Sequence, residues 1–284
     1  MRADIQAFFD EATFTVSYLV ADTAARVAAV IDPVLDFDVK AGRTSTASAD
    51  AILQAAAARG LTIALVLETH VHADHLSAGA YIREKTGAKI VIGEHVADVR
   101  RAFAPVFNLD LREGDDFDRL VKDGETFKVG ALDVEVMFTP GHTPACVSYK
   151  IGDAVFVGDT LFMPDYGTAR ADFPGGDARA LYRSIKRILA LPGETRLFMC
   201  HDYKAPGRDA YAWETTAGEQ RARNLHVKDG VSEDAFVAMR TAKDKTLQMP
   251  VLILPAIQVN VRAGKLPEPE GNGTSYLKIP LNKL

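Results

Sequence analysis

Residues 62–75 read TIALVLETHVHADH, an apolar run of strand length followed at once by a polar stretch with three histidines and an aspartate. An uninterrupted apolar run predicts a buried strand, and the break after Leu67 predicts that this strand delivers a loop at its end. His70 and His72 stand two residues apart, so on an extended backbone their imidazoles project to one side, while Asp74 and His75 on the following turn face a neighbouring point. Imidazole and carboxylate suit a divalent transition metal. Upstream, an amphipathic helix is predicted from Ala49 to Arg59 and closed by Gly60. Downstream, a helix over Ser77 to Thr86, ended by Gly87, leads to a strand Lys89 to Ile92. Strand, loop, helix and strand in this order mark an α/β protein.

The same theme recurs further out. Short strands are expected near Thr13 to Ala21 and Arg26 to Ile31, then a loop with Asp32, Pro33 and Gly42. Between Gly114 and Ile151 the pattern alternates, with strands at Phe127 to Val129 and Leu132 to Phe138. The turn cluster TPGHTP (139–144) interrupts it and presents His142, where Gly141 permits a close approach and the prolines stiffen the turn. A strand Ala154 to Gly158 runs into Asp159, and a strand Thr195 to Met199 ends in Cys200, His201 and Asp202. The Gly-, Pro- and Asp-rich stretch from Leu161 to Gly176 is a long loop, which in a compact domain is more often functional than idle. Helices are predicted over Ala178 to Leu189, Glu214 to His226 and Ser232 to Thr241, followed by the apolar segment Val251 to Val261 and a Pro- and Gly-punctuated tail. One unit over residues 1–284 is expected, with a C-terminal extension from about 227 to 284.

Bulk properties narrow the function. A formal charge of −5 offers no broad basic surface, so nucleic acid is a poor partner. No apolar stretch approaches the roughly 20 residues that span a bilayer, and the opening MRADIQAFFDEATF is too acidic for a secretory signal, so a cytoplasmic enzyme without a membrane partner is expected. The two cysteines, Cys146 and Cys200, form no CxxC pair, which argues against a disulfide framework or a closed structural zinc site. Five of the seven histidines (His70, His72, His75, His142, His201) fall in loops just after or between strands, and that concentration favours an open, reactive metal centre. His95 and His226 match no such setting and read as ordinary surface or helix residues.

The series THVHADH, GHT, GD and a later strand-end histidine resembles the metallo-β-lactamase superfamily. The likeness implies an αββα sandwich, two mixed sheets packed between helices, with the metal at one edge. Finer features resemble the persulfide dioxygenases, specifically the bacterial type with an extended C-terminus: the HADH form of the first motif, TARADF (168–173), CHDY (200–203) and TAGEQRARN (216–224). DPVLDFDVKAGRTST (32–46) and LPAIQVNVRAGKLPEPE (254–270) extend the likeness over almost the whole chain. It implies one Fe(II) per chain held by His70, His142 and Asp159, with zinc a possible non-native substitute. Three positions are then left for water, O₂ and the sulfur of glutathione persulfide. His72, Asp74, His75 and His201 would surround that set, fix imidazole tautomers and carry protons. Tyr203 would reach the bound ligands, Arg170 would fork onto a glutathione carboxylate or else brace its loop by a salt bridge with Asp172, and Tyr166 and Asp202 would border the mouth.

Two other readings stay open. In dinuclear hydrolases of the superfamily the same four residues complete two metal sites, so a glyoxalase II type thioesterase shares this ligand set. A non-catalytic sulfur or metal sensor would keep the ligands, yet nothing in the chain looks like an output module. Val251 to Val261 and the tail either cover their own domain or pack on a second subunit in a homodimer.

Overall fold

In the computed structural model, which describes residues 2–111 and 116–283, two six-stranded sheets lie face to face. The first is built from β1 (Asp4–Asp10), β2 (Thr15–Asp22), β3 (Val27–Ile31), β6 (Thr62–Leu67), β8 (Lys89–Gly93) and β9 (Arg119–Val121), hydrogen-bonded in that order. The second runs in chain order through β10 (Thr126–Val129), β11 (Leu132–Phe138), β12 (Val147–Ile151), β13 (Ala154–Phe156), β14 (Arg196–Phe198) and β15 (Glu214–Thr216). A small third sheet joins β5 (Arg43–Ser45), β4 (Val34–Asp38) and β7 (Leu76–Ser77). Gly114, where the alternating stretch is expected to begin, lies outside the described residues.

Side-chain alternation decides which face meets which layer. In β2, Val16, Tyr18 and Val20 enter a core between the sheets, where they join Val134, Val136, Tyr149 and Phe156. Leu19 and Ala21, one residue out of step, point the other way into a core shared with four helices: α1 (Ala47–Ala58), α2 (Gly79–Thr86), α3 (Val96–Phe107) and α7 (Ile253–Asn260). The outer face of the second sheet, Val155 and Leu197, packs under α4 (Ala178–Leu189), α5 (Ala217–Arg223) and α6 (Glu233–Asp244). Helix, sheet, sheet, helix is the expected αββα sandwich.

Several expectations shift. Predicted helix Glu214 to His226 is a strand and a shorter helix: β15 pairs with β14, and the Thr216 side chain caps α5 by accepting from Glu219 N. β1, α3 and the short strands β4, β5 and β7 escape the sequence reading, and the stretch expected to be a loop with Asp32, Pro33 and Gly42 holds β4 and β5. β1 is an edge strand whose side chains are all partly or fully exposed, so it lacks a clean buried alternation. Pro105 breaks the apparent helical pattern of α3, although the helix continues to Phe107. The segment Val251 to Val261 covers its own domain: Ile257, Val259 and Val261 are fully buried beside the first sheet's helices, while Val251 stays exposed.

Candidate metal centre

Four strands end at one edge of the sandwich. β11, β13 and β14 run parallel to one another, because β11 and β13 each pair antiparallel with β12 and β13 pairs parallel with β14. Beyond their C-terminal ends come His142, Asp159 and His201, and β6 of the facing sheet supplies His70 to His75. Two backbone devices fix the approach. Gly141 has φ +137°, and a Cβ there would lie 2.2 Å from Leu181 N. Gly158 has φ +51° and sits against the Thr69 side chain, so neither position admits an ordinary residue without displacement.

The side chains gather into two groups, each with ligand atoms within 4.8 Å of one another: His70, His142 and Asp159, and His72, Asp74, His75 and His201. Asp159 lies between them, 3.7 Å from His142 Nε2 and 3.3 Å from His201 Nε2. His142 Nδ1 donates to the Arg170 carbonyl at 2.9 Å and His201 Nδ1 to that of Phe14 at 3.2 Å, which leaves both Nε2 atoms with free lone pairs. Among the described residues, His70 Nε2, His75 Nε2, His201 Nε2, Asp74 Oδ2 and Asp159 Oδ1 are buried without a hydrogen-bond partner. Such orphaned atoms are costly unless something satisfies them, and acceptors converging from imidazole and carboxylate call for a cation. The donor set therefore fits a divalent metal.

Electrostatics agree. Burial holds the His70 and His72 imidazoles well below their ordinary range, so they remain neutral donors. Burial alone would raise Asp74, yet His201 and His75 hold it well below the usual carboxylate range. Asp159 is raised by burial against the pull of His201 and His142. His201 is the reverse case: burial opposes its charge, and Asp159 and Asp74 raise it.

Behind the metal side stand two carboxylates that sequence reasoning missed in this role. Asp32, in a left-handed conformation at φ +45°, accepts from Thr69 N (2.7 Å) and Thr69 Oγ1 (2.8 Å). Its Oδ1 also lies 3.1 Å from His72 Nε2, without hydrogen-bond geometry. Glu68 accepts from Ser77 Oγ and is pushed up to about 8 by burial and by Asp32. The only sequence signal for either was proximity to a turn or a motif.

A cavity of about 520 Å³ opens on Asp74, His142 and Asp159. The long loop forms one wall through Phe162, Tyr166, Thr168 and Arg170, and the α6–α7 connection forms another through Leu247, Gln248 and Val251. Tyr203 lines it too, stacked on His201 with centroids 5.6 Å apart and 16° between planes. Arg170 faces the cavity with its fork already filled: Nε and Nη2 donate to Asp172 at 2.5 and 2.7 Å, and Nη1 to the Gln248 carbonyl at 2.7 Å. Asp202 is buried and not among the residues lining the cavity; its carboxylate pairs with the partly buried Arg208.

The family model of the metallo-beta-lactamase superfamily matches residues 11–201. The chain belongs to this superfamily. Among its relatives, a probable metallo-hydrolase of Burkholderia pseudomallei is 54% identical over 99% of both chains. Glyoxylase B2 of Dictyostelium discoideum is 46% identical over 100% of this chain and 98% of that one. The human mitochondrial persulfide dioxygenase ETHE1 is 29% identical over 92% and 88%. The chain spans 65% of the length of a beta-lactamase hydrolase-like protein of Xylella fastidiosa that it also matches. The crystal structure of ETHE1 from Myxococcus xanthus superposes with a TM-score of 0.74 at 33% identity, covering 92% of this chain and 100% of that one. This superfamily member therefore carries the metal-binding His and Asp cluster typical of the group. Among the described residues no helix is long and apolar enough to cross a membrane.

Proposed function

We propose that the protein is a persulfide dioxygenase, a non-haem iron oxidoreductase that converts glutathione persulfide, O₂ and water to glutathione and sulfite. The balance is RSSH + O₂ + H₂O → RSH + H₂SO₃: the S–S bond breaks, the outer sulfur is oxidised, and O₂ accepts four electrons. The carrying observation is the convergence of His70, His142 and Asp159, two histidines and one carboxylate, of which His142 and Asp159 line the cavity. That donor set suits non-haem Fe(II) with open positions. The likeness to ETHE1 proteins supports the same reading.

Fe(II) held by these three residues would supply O₂ and sulfur binding. The chain's own part is positional and protonic. His142 is held in one tautomer by the Arg170 carbonyl, and the mainly apolar walls give the sulfur a less polar setting than water. His201, between Asp74 and Asp159, and the Tyr203 hydroxyl, which makes no hydrogen bond among the described residues, can pass protons to the departing thiolate. Tyr166 packs on Tyr203 at 5.2 Å between centroids and steadies that wall.

A dinuclear thioesterase is the second reading, favoured by the grouping of His72, Asp74, His75 and His201. The deciding experiment measures O₂ uptake and sulfite from glutathione persulfide with anaerobically loaded Fe(II) protein, S-lactoylglutathione hydrolysis by the zinc form, and the metal content of each. One iron per chain with matched O₂ and sulfite is expected. Two metals, thioester hydrolysis and no O₂ uptake would overturn the dioxygenase.

A further inference from the structure

Among the described residues three cationic side chains line the cavity: Arg170, Arg240 and Lys243. Two are already neutralised. Arg170 is forked onto Asp172, and the buried Arg240 donates to Asp244 at 2.8 Å from Nε and to the Thr168 carbonyl at 3.1 Å from Nη1. The Lys243 ammonium, near the end of α6, makes no hydrogen bond or ion pair among the described residues. The charged groups that act on it are Arg240 and Asp244, and the lining of the same cavity includes the apolar Phe37, Val39, Leu247 and Val251, with Asp74 and Asp159 at the metal end. The cavity is thus bipolar: Asp74, His142 and Asp159 in one part of its lining, and in another an ammonium with no hydrogen-bonded acid among the described residues.

We propose that Lys243 is the carboxylate anchor of this cavity, binding an acidic group on the organic part of the substrate while the sulfur faces His142 and Asp159. Recognition of this kind selects acidic thiol derivatives over neutral or cationic ones. An ammonium is a point donor that accepts a carboxylate from many directions, so it suits a flexible ligand better than a saturated guanidinium does. Partial burial and the nearby Arg240 charge lower the Lys243 pKa, the condition that an anionic ligand relieves. The inference deepens the persulfide reading and rests on it for the sulfur chemistry, but not for the binding of the acid.

The test uses metal-loaded full-length protein and titrates glutathione and glutathione diethyl ester by calorimetry into wild type, Lys243→Met and Lys243→Arg, with steady-state O₂ uptake on glutathione persulfide alongside. Glutathione affinity should fall about tenfold in Lys243→Met, as for loss of one charge-assisted hydrogen bond, and mostly return in Lys243→Arg. The ester should bind all three alike, and the loss should enter KM rather than kcat. Equal weakening toward acid and ester, or unchanged glutathione affinity, would overturn the anchor even if O₂ uptake is normal. If glutathione binding follows the expected pattern and no variant consumes O₂, the anchor stands and the dioxygenase reading fails.

Discussion

The side-chain amide of Asn260 donates from Nδ2 to the main-chain oxygens of His72 (2.8 Å) and His75 (2.7 Å), while its Oδ1 accepts from Ser77 N at 2.7 Å. A residue near the C-terminus thereby ties both ends of the metal-ligand loop to α7. With Asn260 buried, replacement by Ala strands two carbonyls and one N–H. At about 1–3 kcal/mol for each buried group left unsatisfied, Asn260→Ala should lower stability by on the order of 3 kcal/mol and weaken metal binding. Urea unfolding and a chelator competition check it; metal affinity equal to wild type would show that the loop holds its shape without α7.

Gly141→Ala should damage the centre from behind. The added Cβ would meet Leu181 N at 2.2 Å and Cα at 2.3 Å, both backbone atoms of α4 that cannot swing aside. Relief requires moving the turn that carries His142, at a cost of about 3 kcal/mol by the measure of overpacked sites. Reduced metal content in purified protein is the expected readout. Full loading with an unchanged melting temperature would contradict it.

Asp202 is nearly fully buried and depends on Arg208, which donates to its two oxygens at 2.5 Å each, with Ala212 N at 2.8 Å. Arg208→Met leaves a buried carboxylate unpaired, a loss of about 3–5 kcal/mol. Arg208 also reaches Asp165 at 2.7 Å on the cavity-wall loop, so KM should rise as well. In a double-mutant cycle Asp202→Asn should recover part of the stability. Additive losses would refute the coupling.

His226, expected to be an ordinary surface or helix residue, is half-buried in a turn, and its Nδ1 accepts from Thr168 N at 3.0 Å. Burial, then Lys243 and Arg240, lower its pKa from the ordinary 6.5 to about 4. Below 6.5 the unfolded chain takes up a proton that the folded imidazole refuses, so stability falls as the pH drops from 6.5 to about 4 and levels off below. Melting temperatures across this window should slope less in His226→Gln than in wild type. Parallel curves would assign the acid sensitivity elsewhere.

How much of this was legible beforehand follows from the range of the interactions. Strand, loop and ligand are local facts: the apolar run Thr62–Leu67 must be buried, the polar run after it must leave the sheet, and residue types fix which metal chemistry is open. Period-two alternation similarly assigns Val16, Tyr18 and Val20 to one core and Leu19 and Ala21 to another. Nothing local tells that Asp32 would back His72, or that Asn260 would bond across 188 residues to the His72 carbonyl. Arg170 shows the boundary most clearly. As a sequence residue it reads either as a fork for a ligand carboxylate or as a partner of Asp172; folding takes the second course and adds the Gln248 carbonyl, while the Lys243 ammonium has no hydrogen-bond or ion-pair partner among the described residues. Whether a charge is spent inside the protein or kept for a ligand depends on which distant groups packing brings within about 3 Å, and one-dimensional order does not carry that distance.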